Sequence, residues 1–138
     1  MELSIRIVDH ATPALAAIER RIPDALEAGT HDATTLVLRE MQLYPPQRLP
    51  RGNREPYRRT GTLKRSWFRR VRRVGGGAVG EVVSSGQIAP YNIYVQHHAL
   101  QAATFAGYWR TEEQVVTALR PQIVEMYERR IGAAVSVR

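Results

Sequence analysis

Cysteine is absent from this 138-residue chain. Its absence excludes disulfides, thiol catalysis and cysteine-based metal sites together, and it fits a reducing compartment. Lysine is almost absent: Lys64 stands alone among 20 basic residues, and the rest are arginine. Acids are fewer, at 13, which leaves a formal charge of +7. Long apolar runs are also missing, and none approaches the roughly 20 residues that a bilayer span needs. The opening Met1-Glu2-Leu3-Ser4-Ile5-Arg6-Ile7 has neither the basic start nor the apolar stretch of a secretory leader. Synthesis and action in a cytoplasm, with no membrane partner, are therefore expected. What is present is ordinary for a globular protein, with 43% hydrophobic and 24% charged residues. That supports one domain over residues 1–138, with a single modest core.

The pattern of residues predicts an α+β domain. Leu3, Ile5 and Ile7 alternate as in a short N-terminal strand. Thr12-Pro13 reads as an N-cap with proline in the first helical turn. Leu15, Ile18, Ile22, Ala25 and Leu26 then recur at helical spacing, and Ala33, Leu36, Val37, Met41 and Tyr44 continue the stripe. Pro23 predicts a kink or restart, and Gly29-Thr30 a second break, so the half reads as one kinked helix or a helix pair. Tyr44-Pro45-Pro46 ends it. Residues 47–56, with Pro50, Gly52, Asn53 and Pro56, read as a mobile loop. Thr60 to Ser66 predicts one capped helical turn. Trp67–Val74 and Val79–Val83 predict a small antiparallel sheet, joined by a hairpin turn at Gly75-Gly76-Gly77. Ile88 to Gln96 predicts a short element packed on that sheet, and 97–110 an irregular loop. A long C-terminal helix starts near Thr111-Glu112-Glu113. It buries Val115, Val116, Leu119, Ile123, Met126, Tyr127 and Ile131, with Pro121 as an interruption. Gly132 reads as its stop, before a short tail at 134–138.

Signatures of catalysis are lacking. His97 and His98 are sequence neighbours, which splay apart on a regular element, and no HExxH-type spacing supports them as metal ligands. A loop or interface role is expected for them instead. Glu112 and Glu113 serve a helix N-terminus. Gly75–Gly77 lacks the Lys-Ser/Thr of a phosphate-binding loop, and Ser84 and Ser85 lack a G-x-S-x-G context. No enzymatic activity, cofactor or metal is expected from these residues.

The basic centre is the anomaly. Arg48 to Arg73 holds eleven basic residues and one acid, Glu55, with Tyr57, Trp67 and Phe68 interleaved. Repulsion among so many like charges favours a counter-charged partner. One reading is docking against an acidic protein surface; a second is phosphate attraction with aromatic stacking; a third is a solvated face whose arginine stems cover apolar surface. The arginine bias has its own bland source in GC-rich codon usage, since it extends to Arg20, Arg39 and Arg129.

Tyr44-Pro45-Pro46 followed by Tyr57-Arg58-Arg59-Thr60-Gly61-Thr62-Leu63-Lys64-Arg65-Ser66-Trp67 resembles the "P…RTG.L..S" signature of tail-completion or head–tail joining proteins of tailed phages. That group includes lambdoid neck proteins and minor tail protein Z. A Gly-rich hairpin and a "Y..YVQ" segment follow in that family, similar to Val74–Val83 and Tyr91-Asn92-Ile93-Tyr94-Val95-Gln96. Gly107-Tyr108-Trp109-Arg110-Thr111 is similar to the family's lead into a C-terminal helix, whereas a Gly-Thr and Pro-rich segment of many members is missing. The resemblance implies a structural virion protein. Copies form a ring, commonly six-fold, in the neck, where it completes the tail, joins head to tail and passes the genome through its lumen. The implied partners are further copies of the chain, neck or connector proteins, the tail tube or tail terminator, and lumen DNA. On this reading Arg58, Arg59, Lys64, Arg65, Arg69, Arg70, Arg72 and Arg73 contact acidic neighbours or DNA. Trp67, Tyr91, Tyr94 and Trp109 build the core or the subunit contacts. The alternative is a non-sequence-specific nucleic-acid-binding module using the same arginines. A small nuclease would need metal-supporting acids, which are sparse.

Overall fold

The computed structural model describes residues 13–48, 52 and 59–136. Helix α1 (Pro13–Met41) is followed by a one-turn helix α2 (Thr62–Ser66), strands β1 (Trp67–Val74) and β2 (Gly77–Ser84), a short helix α3 (Asn92–Gln96) and helix α4 (Glu112–Val135). The architecture is α+β, as the pattern of residues predicts. The predicted N-terminal strand at Leu3–Ile7, the Thr12 cap and most of the 47–56 loop lie outside the described residues.

α1 is one uninterrupted helix, so the helix-pair alternative falls. It runs through Pro23 and through Gly29-Thr30, both expected as breaks. Packing explains why. A Cβ on Gly29 would lie 2.7 Å from Cδ1 of Tyr127 on α4, so the missing side chain seats that ring. Beside it the Thr30 and Tyr127 hydroxyls are hydrogen-bonded at 2.6 Å. Thr30 and Thr34 donate their hydroxyls to carbonyls one turn back, Leu26 O and Thr30 O, both at 2.8 Å. Their polarity is thereby satisfied inside the helix. Arg130 on α4 completes the seam with two bonds to the Asp32 carboxylate, at 2.8 and 3.1 Å. Those bonds hold the Asp32 carboxyl below its ordinary range.

β1 and β2 pair antiparallel in the register Trp67↔Ser84 to Val74↔Gly77. Gly75, with φ 58, takes the first central position of the turn, where a two-residue hairpin wants a positive φ. Side chains alternate, so Trp67, Arg69, Val71 and Arg73 face α1 while Phe68, Arg70, Arg72 and Val74 face away. The core lies where α1, α4 and the base of the hairpin meet. Met41 and Val115 are 1% exposed there, with Leu119 buried beside them and Leu36, Val37, Trp67 and Ile123 packed around. A second cluster, Leu63, Ala89 and Val95 with Tyr44, Phe105 and Trp109, fills the space under the 97–110 loop. Each fully buried aliphatic side chain contributes about 1.5–3 kcal/mol.

α4 starts as predicted. Thr111 Oγ1 accepts from Gln114 N at 3.3 Å, and Gln114 Oε1 accepts from Thr111 N at 3.0 Å, a reciprocal capping box. Three other expectations need correcting. The helix runs through Pro121, expected as an interruption. The helix continues past Gly132 to Val135, and the Ser136 amide and hydroxyl close it by bonding Gly132 O. Val116, expected on the buried face, is 40% exposed, because the stripe that meets α1 runs through Val115 and Leu119.

Candidate assembly interface

The signature segment is built as scaffold. Gly61 sits at φ 76, and its carbonyl accepts from Arg65 N at 3.1 Å, closing the single turn of α2. Thr60 and Thr62 bond each other through their hydroxyls at 2.8 Å. Leu63 drops into the second core cluster. Ser66 is fully buried: its hydroxyl donates to Leu63 O at 2.7 Å and is paired with Ser84 Oγ at 2.9 Å. Asn92 Nδ2 donates to the same Ser84 oxygen at 2.8 Å, tying α3 to the root of the hairpin. Trp67 Nε1 donates to Gln96 Oε1 at 2.9 Å, and Gln96 Nε2 reaches Met41 O at 3.3 Å. Leu63, Ser66 and Trp67 therefore secure the base of the β-ribbon.

The arginines fall into three groups. Arg59 is internal. Its guanidinium donates to Pro45 O at 2.5 Å and to the Tyr108 hydroxyl at 2.9 Å, lying 5.4 Å from the Tyr44 ring and 5.7 Å from that of Trp109. Arg65 folds back on its own turn through Thr60 O at 3.0 Å. Arg69 and Arg73 face α1: Arg69 Nη1 meets His31 Nδ1 at 2.9 Å, and Arg73 pairs with both Asp24 and Glu27. The outward residues are held less tightly by the rest of the fold. Arg70 is paired loosely across the ribbon with Glu81 at 3.5 Å and stacks 5.6 Å from the Phe68 ring. The side chains of Arg72 and Lys64 are exposed and make no polar contact with a described residue. Arg58 lies outside the described residues.

Around Arg70 and Arg72 the outer ribbon face is half apolar, with Phe68 41%, Val74 49% and Val79 38% exposed. The described sheet has two strands, so each strand also presents an unpaired edge. Of the aromatic residues, Trp67 and Trp109 are half-buried and join the core clusters. Tyr91 and Tyr94 are 46% and 53% exposed, beside Ile88 and Ile93, so Tyr94 takes no core role. A cleft of about 430 Å³ opens between Tyr44, Arg59, Leu63, Phe105, Tyr108 and Trp109.

His97 and His98 do not splay. His97 leaves α3 in an extended conformation, and the turn at 98–100 brings the two rings into a stack, with centroids 4.8 Å apart. His98 Nδ1 lies 2.5 Å from Glu112 Oε1, and that hydrogen bond raises the imidazole above its ordinary 6.5. Burial pushes the Glu112 carboxyl up, but hydrogen bonds from the His98 ring and from backbone amides outweigh it and leave the group below 4.5. The His98 contribution is complete below pH 6.5 and lost as pH rises through its raised value. That of Glu112 is complete above pH 4.5 and lost as pH falls through its lowered value. The Tm gap between wild type and Glu112→Gln should therefore be widest between these limits and shrink on both sides. A gap that stays constant from strong acid to alkaline pH would show that the pair contributes nothing.

Comparison with protein-family profiles, curated proteins and solved structures finds no match to this chain.

Proposed function

We propose that this chain is a structural assembly protein of a tailed-phage or prophage particle, whose copies form a ring in the neck that completes the tail and joins head to tail. The observation that carries this reading is the outer face of the β-ribbon, where Phe68, Arg70, Arg72, Val74 and Val79 lie together and uncovered. An apolar strip interrupted by cations, flanked by strand edges that are unpaired among the described residues, suits docking onto an acidic protein surface or strand addition by another copy. Head-to-tail repetition of such a contact closes a ring when its rotation permits. The resemblance of Arg59 to Ser66 to the joining-protein signature supplies the biological setting, and those residues hold the ribbon in place.

The test is Arg70→Glu with Arg72→Glu. Assembly is expected to be lost, read as ring formation by native mass spectrometry and as infectious particles in complementation. Tm should stay within about 3 °C, since exposed charges are worth ~1 kcal/mol or less. Wild-type assembly by the double variant would end this reading. Charge reversal at Arg59 is no substitute, because it breaks an internal contact. The second reading, non-specific nucleic-acid binding, draws on Arg72 and Lys64, whose side chains have no polar partner among the described residues. It requires submicromolar binding to random duplex DNA that falls steeply with salt.

A further inference from the structure

We propose that His97, His98 and Glu112 form a binding site for one divalent transition-metal ion of the zinc class. The site is independent of the ring proposal. One ligand atom from each of the three side chains lies within 4.8 Å of the others, and they come from two separate segments. His97 Nε2 is 3.9 Å and His98 Nδ1 2.5 Å from the same carboxylate oxygen, Glu112 Oε1. Bringing three donors to about 2 Å from a common ion requires the two near-parallel rings to turn out of their stack, so that their in-plane lone pairs converge beside Glu112.

The backbone prepares the geometry before any ion arrives. The capping box sets Glu112 as the first residue of α4, and His98 N donates to Glu112 Oε2 at 2.9 Å. That bond locks the turn holding both imidazoles to the helix that holds the carboxylate. Two imidazoles with one carboxylate match the borderline nitrogen and oxygen preference of zinc-class ions, not the all-oxygen preference of calcium or magnesium. All three side chains are partly exposed, at 41%, 50% and 33%, so coordination positions remain open to water. The N-terminal end of α4 is electropositive and opposes a cation, while Glu112 and the adjacent Glu113 offset it.

Loading has two local costs. His98 gives up the proton it shares with Glu112. His97 Nδ1, which accepts from Ala99 N at 3.1 Å, takes a proton if Nε2 ligates, and that exposed amide turns to water instead. Affinity should therefore rise with pH. A bound ion would fasten the turn after α3 to the first turn of α4.

The experiment uses the untagged full chain, stripped with chelator and titrated with Zn2+ by calorimetry, with Co2+ absorption as a spectroscopic check. Wild type is expected to take up one ion per chain and to gain Tm with added Zn2+. His97→Ala and His98→Asn should each weaken binding about tenfold or more, and neither should gain Tm. His98→Asn keeps a donor toward Glu112, so its fold in chelator should match wild type by circular dichroism. His31→Ala, at a histidine paired with Arg69, should bind like wild type. Absence of stoichiometric uptake, or uptake that His97→Ala and His98→Asn leave intact, would overturn the proposal.

Discussion

Gly80→Val is expected to destabilise the protein by about 3 kcal/mol, the upper part of the range for overpacking, here at a close backbone approach. Two effects oppose each other at this position. Strand propensity alone favours valine over glycine by up to ~1 kcal/mol. Packing opposes it: a Cβ on Gly80 would lie 2.4 Å from Thr34 Cγ2 and 2.6 Å from Thr30 Cγ2. These methyls have no easy retreat, because the same side chains hold hydroxyl bonds to Leu26 O, Thr30 O and the Tyr127 hydroxyl. The ribbon would have to lift from α1 and pull Trp67 from its place beside Met41. Packing therefore wins. Gly77 is the control, since its added Cβ meets nothing nearer than Val74 O at 3.8 Å, and Gly77→Val should be neutral or slightly stabilising. Thr30→Ser with Thr34→Ser removes both methyls and keeps both hydroxyls, so in that background much of the Gly80→Val loss should return, a coupling between contacting residues. Chemical denaturation of the four variants measures it. Equal losses at Gly80 and Gly77 would show that the close approach is not what matters.

The same seam separates what the sequence makes legible from what it does not. The ribbon is readable because its signals are local: alternating apolar positions, three glycines between them, and a capping threonine ahead of α4. Pro23 and Gly29 mislead for the opposite reason. Their local preference is to break a helix, but α4 and the ribbon pack against that helix, and tertiary contacts outweigh a local cost of a few kcal/mol. Gly29 is small for Tyr127, which lies 98 positions away in the chain. The arginines are an intermediate case. Strand alternation separates Arg69 and Arg73 from Arg70 and Arg72 in the sequence itself. Which pair turns inward depends on Asp24, Glu27 and His31 lying opposite, and no local pattern contains that. His97 and His98 are not readable as a stacked pair beside Glu112, because their stacking depends on how the chain leaves α3.

Arg59→Ala should cost about 2–3 kcal/mol and lower Tm by roughly 6–12 °C. This is a large loss for an arginine in so densely charged a segment. The guanidinium is held between the end of α1's connection and the 97–110 loop, donating to Pro45 O and to Tyr108. Hydrogen bonds from a charged donor are worth about 1.5–3 kcal/mol each when a partner would otherwise stay unpaired. The Tyr44 and Trp109 rings add a cation–π attraction of about 0.5–1 kcal/mol at such a half-exposed site. Some of the loss returns as water solvates Pro45 O, which keeps the expected total below the sum of these contributions. Arg59→Lys should recover less than half. A single ammonium reaches one acceptor where the planar fork reaches two, and it stacks poorly on the rings. Arg72→Ala is the comparison, on the same strongly basic segment but exposed and without a polar partner among the described residues, and it should stay within about 0.5 kcal/mol of wild type. Urea denaturation of the three variants gives the answer. If Arg59→Ala and Arg72→Ala cost the same, the internal clasp contributes nothing, and Arg59 returns to the surface group with Arg70 and Arg72. If they differ as expected, the arginine of the signature acts by holding the aromatic cleft together.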